Sequence, residues 1–138
     1  MMENKIKVIT GKIGLDDHYR GIVSVTEALR DAGMEVVYLG SGQRVEGVIE
    51  AVVQEDANVL GLSFHGGAHL EIMRKLMNQM QNRSLDDVLV IVGGTIHLHD
   101  APKLKEMGVS GVFFPGTPLK DIVDFVSKNV KKHSKTKV

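Results

Sequence analysis

The residues richest in chemistry lie in one stretch, Gly11-Lys12-Ile13-Gly14-Leu15-Asp16-Asp17-His18-Tyr19-Arg20-Gly21. Asp16 and His18 stand two positions apart, so an extended chain can place them on one side. A carboxylate that accepts a hydrogen bond from one imidazole nitrogen fixes the tautomer. It also raises the basicity of the other nitrogen, as behind many metal-ligating histidines. Lys12 can hold that carboxylate ionised. Gly21, near the start of a helical segment, lets a bulky ligand approach the backbone. The same residue types also allow a plainer arrangement, in which Asp16 or Asp17 caps the helix and His18 lies on the surface. Residue chemistry alone leaves both open. The connection is longer than the usual span of about 2 to 6 residues, and the excess needs a reason.

The elements that must position this stretch follow from hydrophobic period. Strand-like runs at 6–10, 35–39, 58–63, 88–92 and 111–114 alternate with helical segments at 20–32, 45–54, 69–81, 101–107 and 119–130. In the first helix Val23, Val25, Ala28, Leu29 and Ala32 form the apolar stripe, and Gly33 supplies the stop. In the second, Val48, Ile49, Val52 and Val53 face inward. Met73, Met77 and Met80 recur at helical spacing, as core residues do. Five strands alternating with five helices predict an α/β fold, a flavodoxin-like, doubly wound parallel sheet of order 2-1-3-4-5. Ligands of such sheets bind at the carboxyl ends of the strands. Here those ends are the loops after Thr10, Leu39, Ser63, Val92 and Phe114, and all but the second are dense in Gly, His, Asp and Ser.

Length and composition set bounds. A chain of 138 residues suits one domain, expected over 1–130, followed by a basic flexible tail over 131–138. Lys+Arg and Asp+Glu balance at 17 each, so no net field draws the chain to nucleic acid or membrane. The absence of Cys excludes disulfides, thiolate catalysis and Cys-ligated zinc, and fits a cytoplasmic protein. Neither a signal peptide nor a membrane-spanning run is evident. His97 and His99 lack the further ligands that zinc needs and read as surface residues. His65 is expected to face a cofactor or partner, and His69 to start a helix. Gly40-Ser41-Gly42-Gln43-Arg44 is no dinucleotide loop, since it follows the second strand and Val45 replaces the third glycine. Gly11-Lys12 precedes Ile13 rather than Ser or Thr, so it is no phosphate loop.

Asp16-x-His18-x-x-Gly21 resembles the signature of the cobalamin-binding domain shared by methylmalonyl-CoA mutase, related acyl-CoA mutases, glutamate mutase and methionine synthase. Lys12 to Asp16 and Ala28 to Tyr38 look especially like the acyl-CoA mutase branch. The other strand ends agree in order and spacing. Gly61-Leu62-Ser63 with His65 stands at the Ser-x-Leu motif, with His65 in place of Leu. Gly93-Gly94 resembles the paired glycines that leave room for a nucleotide tail, and Phe114-Pro115-Gly116-Thr117 the last motif.

The resemblance implies that His18 ligates cobalt from the lower face, displacing the dimethylbenzimidazole base into a slot. It implies a relay of Lys12, Asp16 and His18. It further implies cofactor contacts from Asp16, Asp17, Tyr19, Arg20, Gly21, Ser63, His65, Gly93, Gly94, Phe114, Gly116 and Thr117, with Ser63 donating to the base. The expected cofactor is adenosylcobalamin. The expected partner is a large barrel-type catalytic subunit that holds the acyl-CoA substrate, with a 1,2-rearrangement of the carbon skeleton as the reaction. Two other readings compete. One is a non-catalytic corrinoid carrier or sensor, such as a methyl-transfer shuttle; methyl-carrier proteins of that family usually place a helical bundle before this domain, whereas here the first strand begins almost at the N-terminus. A phosphoacceptor domain of response-regulator type needs an Asp where this chain has Ser63.

Overall fold

The structure, a computed structural model, describes residues 5–14, 20–65 and 68–130. The strands are β1 (Lys7–Lys12), β2 (Glu35–Tyr38), β3 (Val59–His65), β4 (Leu89–Thr95) and β5 (Gly111–Phe113). The helices are α1 (Arg20–Asp31), α2 (Val45–Glu55), α3 (His69–Asn82), α4 (Ala101–Glu106) and α5 (Leu119–Asn129), with a 3-10 turn at Leu98–Asp100 leading into α4. All neighbouring strands pair in parallel in the order β2-β1-β3-β4-β5, as expected. The basic tail expected at 131–138 lies outside the described residues.

Two apolar layers sandwich the sheet. On one face Ile9, Leu60, Leu62, Val90 and Val92 pack with Val48, Ile49 and Val52 of α2, Met73, Leu76 and Met80 of α3 and Leu104 of α4. On the other, Val8, Val36, Val59, Leu89 and Ile91 pack with Leu29 of α1 and with Ile122 and Val126 of α5. Each such side chain, fully buried, contributes about 1.5–3 kcal/mol. The second layer is incomplete. Its strand residues come from the first half of β3 and β4. Further along, the same face carries Gly61, Ser63 and Gly93, so the α1/α5 core stops partway up the sheet.

Three strand ends differ from the sequence expectation, for one reason. Expected strand ends at Thr10, Ser63 and Val92 rested on where apolar residues stop. The hydrogen-bonded ladder continues through Lys12, His65 and Thr95. Backbone pairing does not require apolar side chains when one face borders a cavity. The β1–α1 connection is accordingly shorter, 13–19, with Gly11 and Lys12 in the strand and Arg20 and Gly21 in the helix. β5 ends one residue early, leaving Phe114 in the loop.

The buried stripe of α1 is Ile22, Thr26 and Leu29, whereas Val23, Val25 and Ala28 are half-buried and Ala32 is exposed. Thr26 reads as polar, yet its hydroxyl donates to the Ile22 carbonyl at 2.7 Å and lies 2.7 Å from the Thr10 hydroxyl, which satisfies it inside. In α2, Val45 is buried and Val53 is exposed. Met73 and Met80 are core residues and Met77 packs against them, as their spacing predicts.

Candidate functional site

The unfinished α1/α5 layer leaves a cavity of about 1000 Å³ at the carboxyl end of the sheet. That lies at the upper end of the range for small-molecule sites, roughly 300–1000 Å³. The floor is built by strand register. Gly61 pairs with Ile91, Ser63 with Gly93 and His65 with Thr95, and Gly93 in turn pairs with Phe113. Register partners in parallel strands project to the same face, so these rows rise from the inner end of the cavity to its rim. The walls come from Ile22 and Val25 of α1 and from Leu119 and Ile122 of α5, with the 114–117 loop above them. The result is an apolar, three-sided slot with polar groups at chosen heights.

The small residues make the slot. A Cβ built on Gly61 or Gly93 finds its nearest neighbours at 3.4 Å, ordinary van der Waals contact. Neither glycine is needed for backbone geometry there, so the absence of side chains serves the open space. Gly94 is different. Its φ is +105° and a Cβ would collide with the Phe64 backbone, so the close approach of β3 and β4 requires glycine. The glycine pair therefore divides the work: Gly93 leaves volume and Gly94 permits the strand contact.

The structure brings Arg20, Gly21, Ser63, His65, Gly93, Gly94, Phe114, Gly116 and Thr117 to this one cavity. Ser63 is buried on the floor. His65 and Thr95 are exposed at the rim, with His65 Nδ1 3.1 Å from Thr95 Oγ1. The Thr117 hydroxyl donates to the Phe114 carbonyl at 2.7 Å, which tightens the loop over the slot. Lys12 is fully buried at the end of β1, in register with Ser63. Its backbone N–H donates to the Gly40 carbonyl, and its own carbonyl accepts from the Gln43 N–H. The Gly40–Arg44 segment thus props the end of β1. Asp16, Asp17, His18 and Tyr19 lie outside the described residues.

Sequence reasoning missed Gly61, Thr95, Ile91, Phe113, Leu119 and Ile122 among the lining residues. Gly61 did carry a signal: a glycine inside an otherwise apolar strand often marks a close approach or a ligand. The apolar lining residues carried none, because they are indistinguishable from core until the sheet is assembled.

The remaining histidines separate by burial. His69, the first residue of α3, is buried, and its Nε2 lies 2.8 Å from Asp100 Oδ2. That contact ties the start of α3 to the turn before α4. His97 and His99 stack with ring centroids 4.8 Å apart and are exposed, as expected. Among the described residues, no group of three His, Cys, Asp or Glu could hold a metal ion, and none of the helices is long and apolar enough to cross a membrane.

Comparison with known proteins agrees with this geometry. The B12 binding domain family model matches residues 6–123. The 2-hydroxyisobutanoyl-CoA mutase small subunit of Aquincola tertiaricarbonis is 38% identical over 126 residues, covering 91% of this chain and 93% of that one. The pivalyl-CoA mutase small subunit of Xanthobacter autotrophicus is 40% identical over 122 residues, covering 88% and 82%. The chain belongs to the B12-binding domain family, and within it groups with the small subunits of acyl-CoA mutases.

Among solved structures, a cobalamin-binding protein from Desulfitobacterium hafniense superposes with a TM-score of 0.79 at 22% identity, covering 92% of this chain and 60% of that one. The receiver domain of the response regulator NarL from Mycobacterium tuberculosis reaches 0.67 at 17%, covering 91% of this chain and 96% of that one. Both likenesses are of fold alone, and only the residues of the site separate such proteins.

Proposed function

We propose that this chain is the cofactor-carrying subunit of an adenosylcobalamin-dependent acyl-CoA mutase. It binds cobalamin with the dimethylbenzimidazole tail in the α1/α5 cavity and His18 as the lower ligand of cobalt. The observation that carries this reading is the slot itself, floored by Gly61, Ser63 and Gly93 and opening at the strand ends from which the 13–19 connection departs. A flat aromatic base suits apolar walls over a floor opened by Gly61 and Gly93, and a single buried hydroxyl, Ser63, suits a ring nitrogen.

When bound, adenosylcobalamin supplies radical chemistry that no side chain can provide. The residues of this chain hold and orient. Asp16 accepts from the His18 ring and so sets which nitrogen faces the metal, and Lys12 supports Asp16 as a carboxylate. The burial of Lys12 supports that assignment, since a buried ammonium is retained where it is paired. The similarity to mutase small subunits supports a separate large subunit of barrel type, which encloses the acyl-CoA. The reaction is a 1,2-rearrangement of a substrate of methylmalonyl-CoA, isobutyryl-CoA or 2-hydroxyisobutyryl-CoA type. That large subunit chooses among them.

The test is a titration of the purified chain with adenosylcobalamin, followed by optical spectra and by paramagnetic resonance of the cob(II)alamin form. The expected result is a base-off spectrum with coupling from one imidazole nitrogen, lost in His18→Ala while the fold is kept. The spectrum of the free cofactor, unchanged by the protein, would contradict the proposal. Mutase turnover is expected only when the large subunit is added. Turnover by this chain alone would contradict the two-subunit arrangement.

A further inference from the structure

Resting on the corrinoid reading, we infer that His65 and Thr95 form a polar clasp that recognises the phosphate-bearing linker between the buried base and the macrocycle outside. The argument starts from height in the slot. Gly61 and Ile91 form the inner row, Ser63 and Gly93 the middle row, and His65 and Thr95 the last paired row of β3 and β4. A ligand with one end on the floor and the other outside must cross that last row.

The chemistry changes at that height. Below it the walls are apolar. At it stand an imidazole and a hydroxyl, 3.1 Å apart and both exposed. Arg20 of α1 also lines the cavity, which places a permanent cation among its lining groups. A phosphodiester is acceptor-only and anionic, so the one outward donor left by the His65–Thr95 bond (the hydroxyl or the ring Nε2–H, by tautomer) matches it together with Arg20, and hydrogen bonds to a charged group are the stronger kind. Thr95 also orients the His65 ring through Nδ1, which removes part of the entropy that a surface imidazole loses on binding.

The experiment compares the whole chain with its His65→Leu and Thr95→Val variants. Affinities are measured optically for cobalamin and for cobinamide, which lacks the nucleotide and its phosphate. Both substitutions are at exposed positions, and circular dichroism checks that the fold is kept. Each variant is expected to bind cobalamin about tenfold more weakly and cobinamide within about twofold of the parent chain. The double variant should be little worse than the weaker single one, because the two residues act as a unit.

The 31P resonance of bound adenosylcobalamin gives a second readout, since its phosphate is the only phosphorus in the complex. It is expected to differ between the parent chain and His65→Leu. Undiminished cobalamin affinity, equal losses for both corrinoids, or identical 31P shifts would each overturn the clasp while leaving the corrinoid reading intact. Failure of the parent chain to bind cobalamin would overturn both.

Discussion

Ser63 and Gly93 are register partners on neighbouring strands, and one presents a hydroxyl where the other presents nothing. Together they form a floor that is polar at one point and empty beside it. A filled position there would bury an aliphatic side chain worth about 1.5–3 kcal/mol, so the fold forgoes that stability to keep the slot open. Gly93→Val is therefore expected to fold with unchanged or raised melting temperature and to lose at least about tenfold in cobalamin affinity. Cobinamide affinity should stay within about twofold. Thermal unfolding with paired optical titrations checks this, and normal cobalamin binding would show that the tail lies elsewhere.

Gly94 predicts the opposite behaviour. At φ +105° beside the Phe64 backbone, a methyl group both strains its own residue and pushes β4 from β3. Gly94→Ala should cost about 2 kcal/mol or more in denaturant unfolding. Stability equal to the parent chain would show that β3 and β4 do not approach so closely at Gly94.

The His69–Asp100 contact joins the start of α3 to the 3-10 turn before α4. Removing the ring leaves a mostly buried carboxylate without that partner. His69→Ala should lower stability by about 2–3 kcal/mol, and amide exchange should rise first at the start of α3 and at residues 98–100. A variant as stable as the parent would reduce the contact to an incidental one.

Asp16→Asn keeps the size of the side chain and removes its charge. If Asp16 orients His18, the change should weaken cobalt ligation about 10- to 100-fold, the usual effect of altering the group behind a ligating histidine. Cobalamin titration monitored by the imidazole coupling measures it. An unaltered coupling and affinity would place the two residues apart.

Far from the site, Glu46 offers a pH prediction. Its carboxylate is held below the ordinary value of 4.5 first by its own backbone N–H in the opening turn of α2, then by Lys75 at 3.1 Å. A lowered folded-state pKa means that the group stabilises the fold above its unfolded value. That contribution is lost as pH falls through the folded one. NMR titration should place Glu46 below 4.5, and Lys75→Ala should move it up only partly. A return to 4.5 in that variant would assign the whole effect to the ion pair.

The sequence by itself determined the layer order and the end of the sheet that carries the site. Alternating apolar runs and helical stripes specify parallel pairing, and glycines, histidines and a threonine collect at one set of strand ends. Residues 93, 94, 116 and 117 were legible through their resemblance to family motifs, at strand ends already marked by glycines and polar residues. Only the tertiary structure decided that the α1/α5 layer stops short of the strand ends and that Ile22, Ile91, Phe113 and Ile122 border a cavity as well as the core beneath it. It alone set His65 opposite Thr95. An apolar side chain looks the same in a sequence whether a neighbour or a ligand covers it. Which of the two covers it depends on the register of strands 30 residues apart in the chain, a relationship no local pattern encodes.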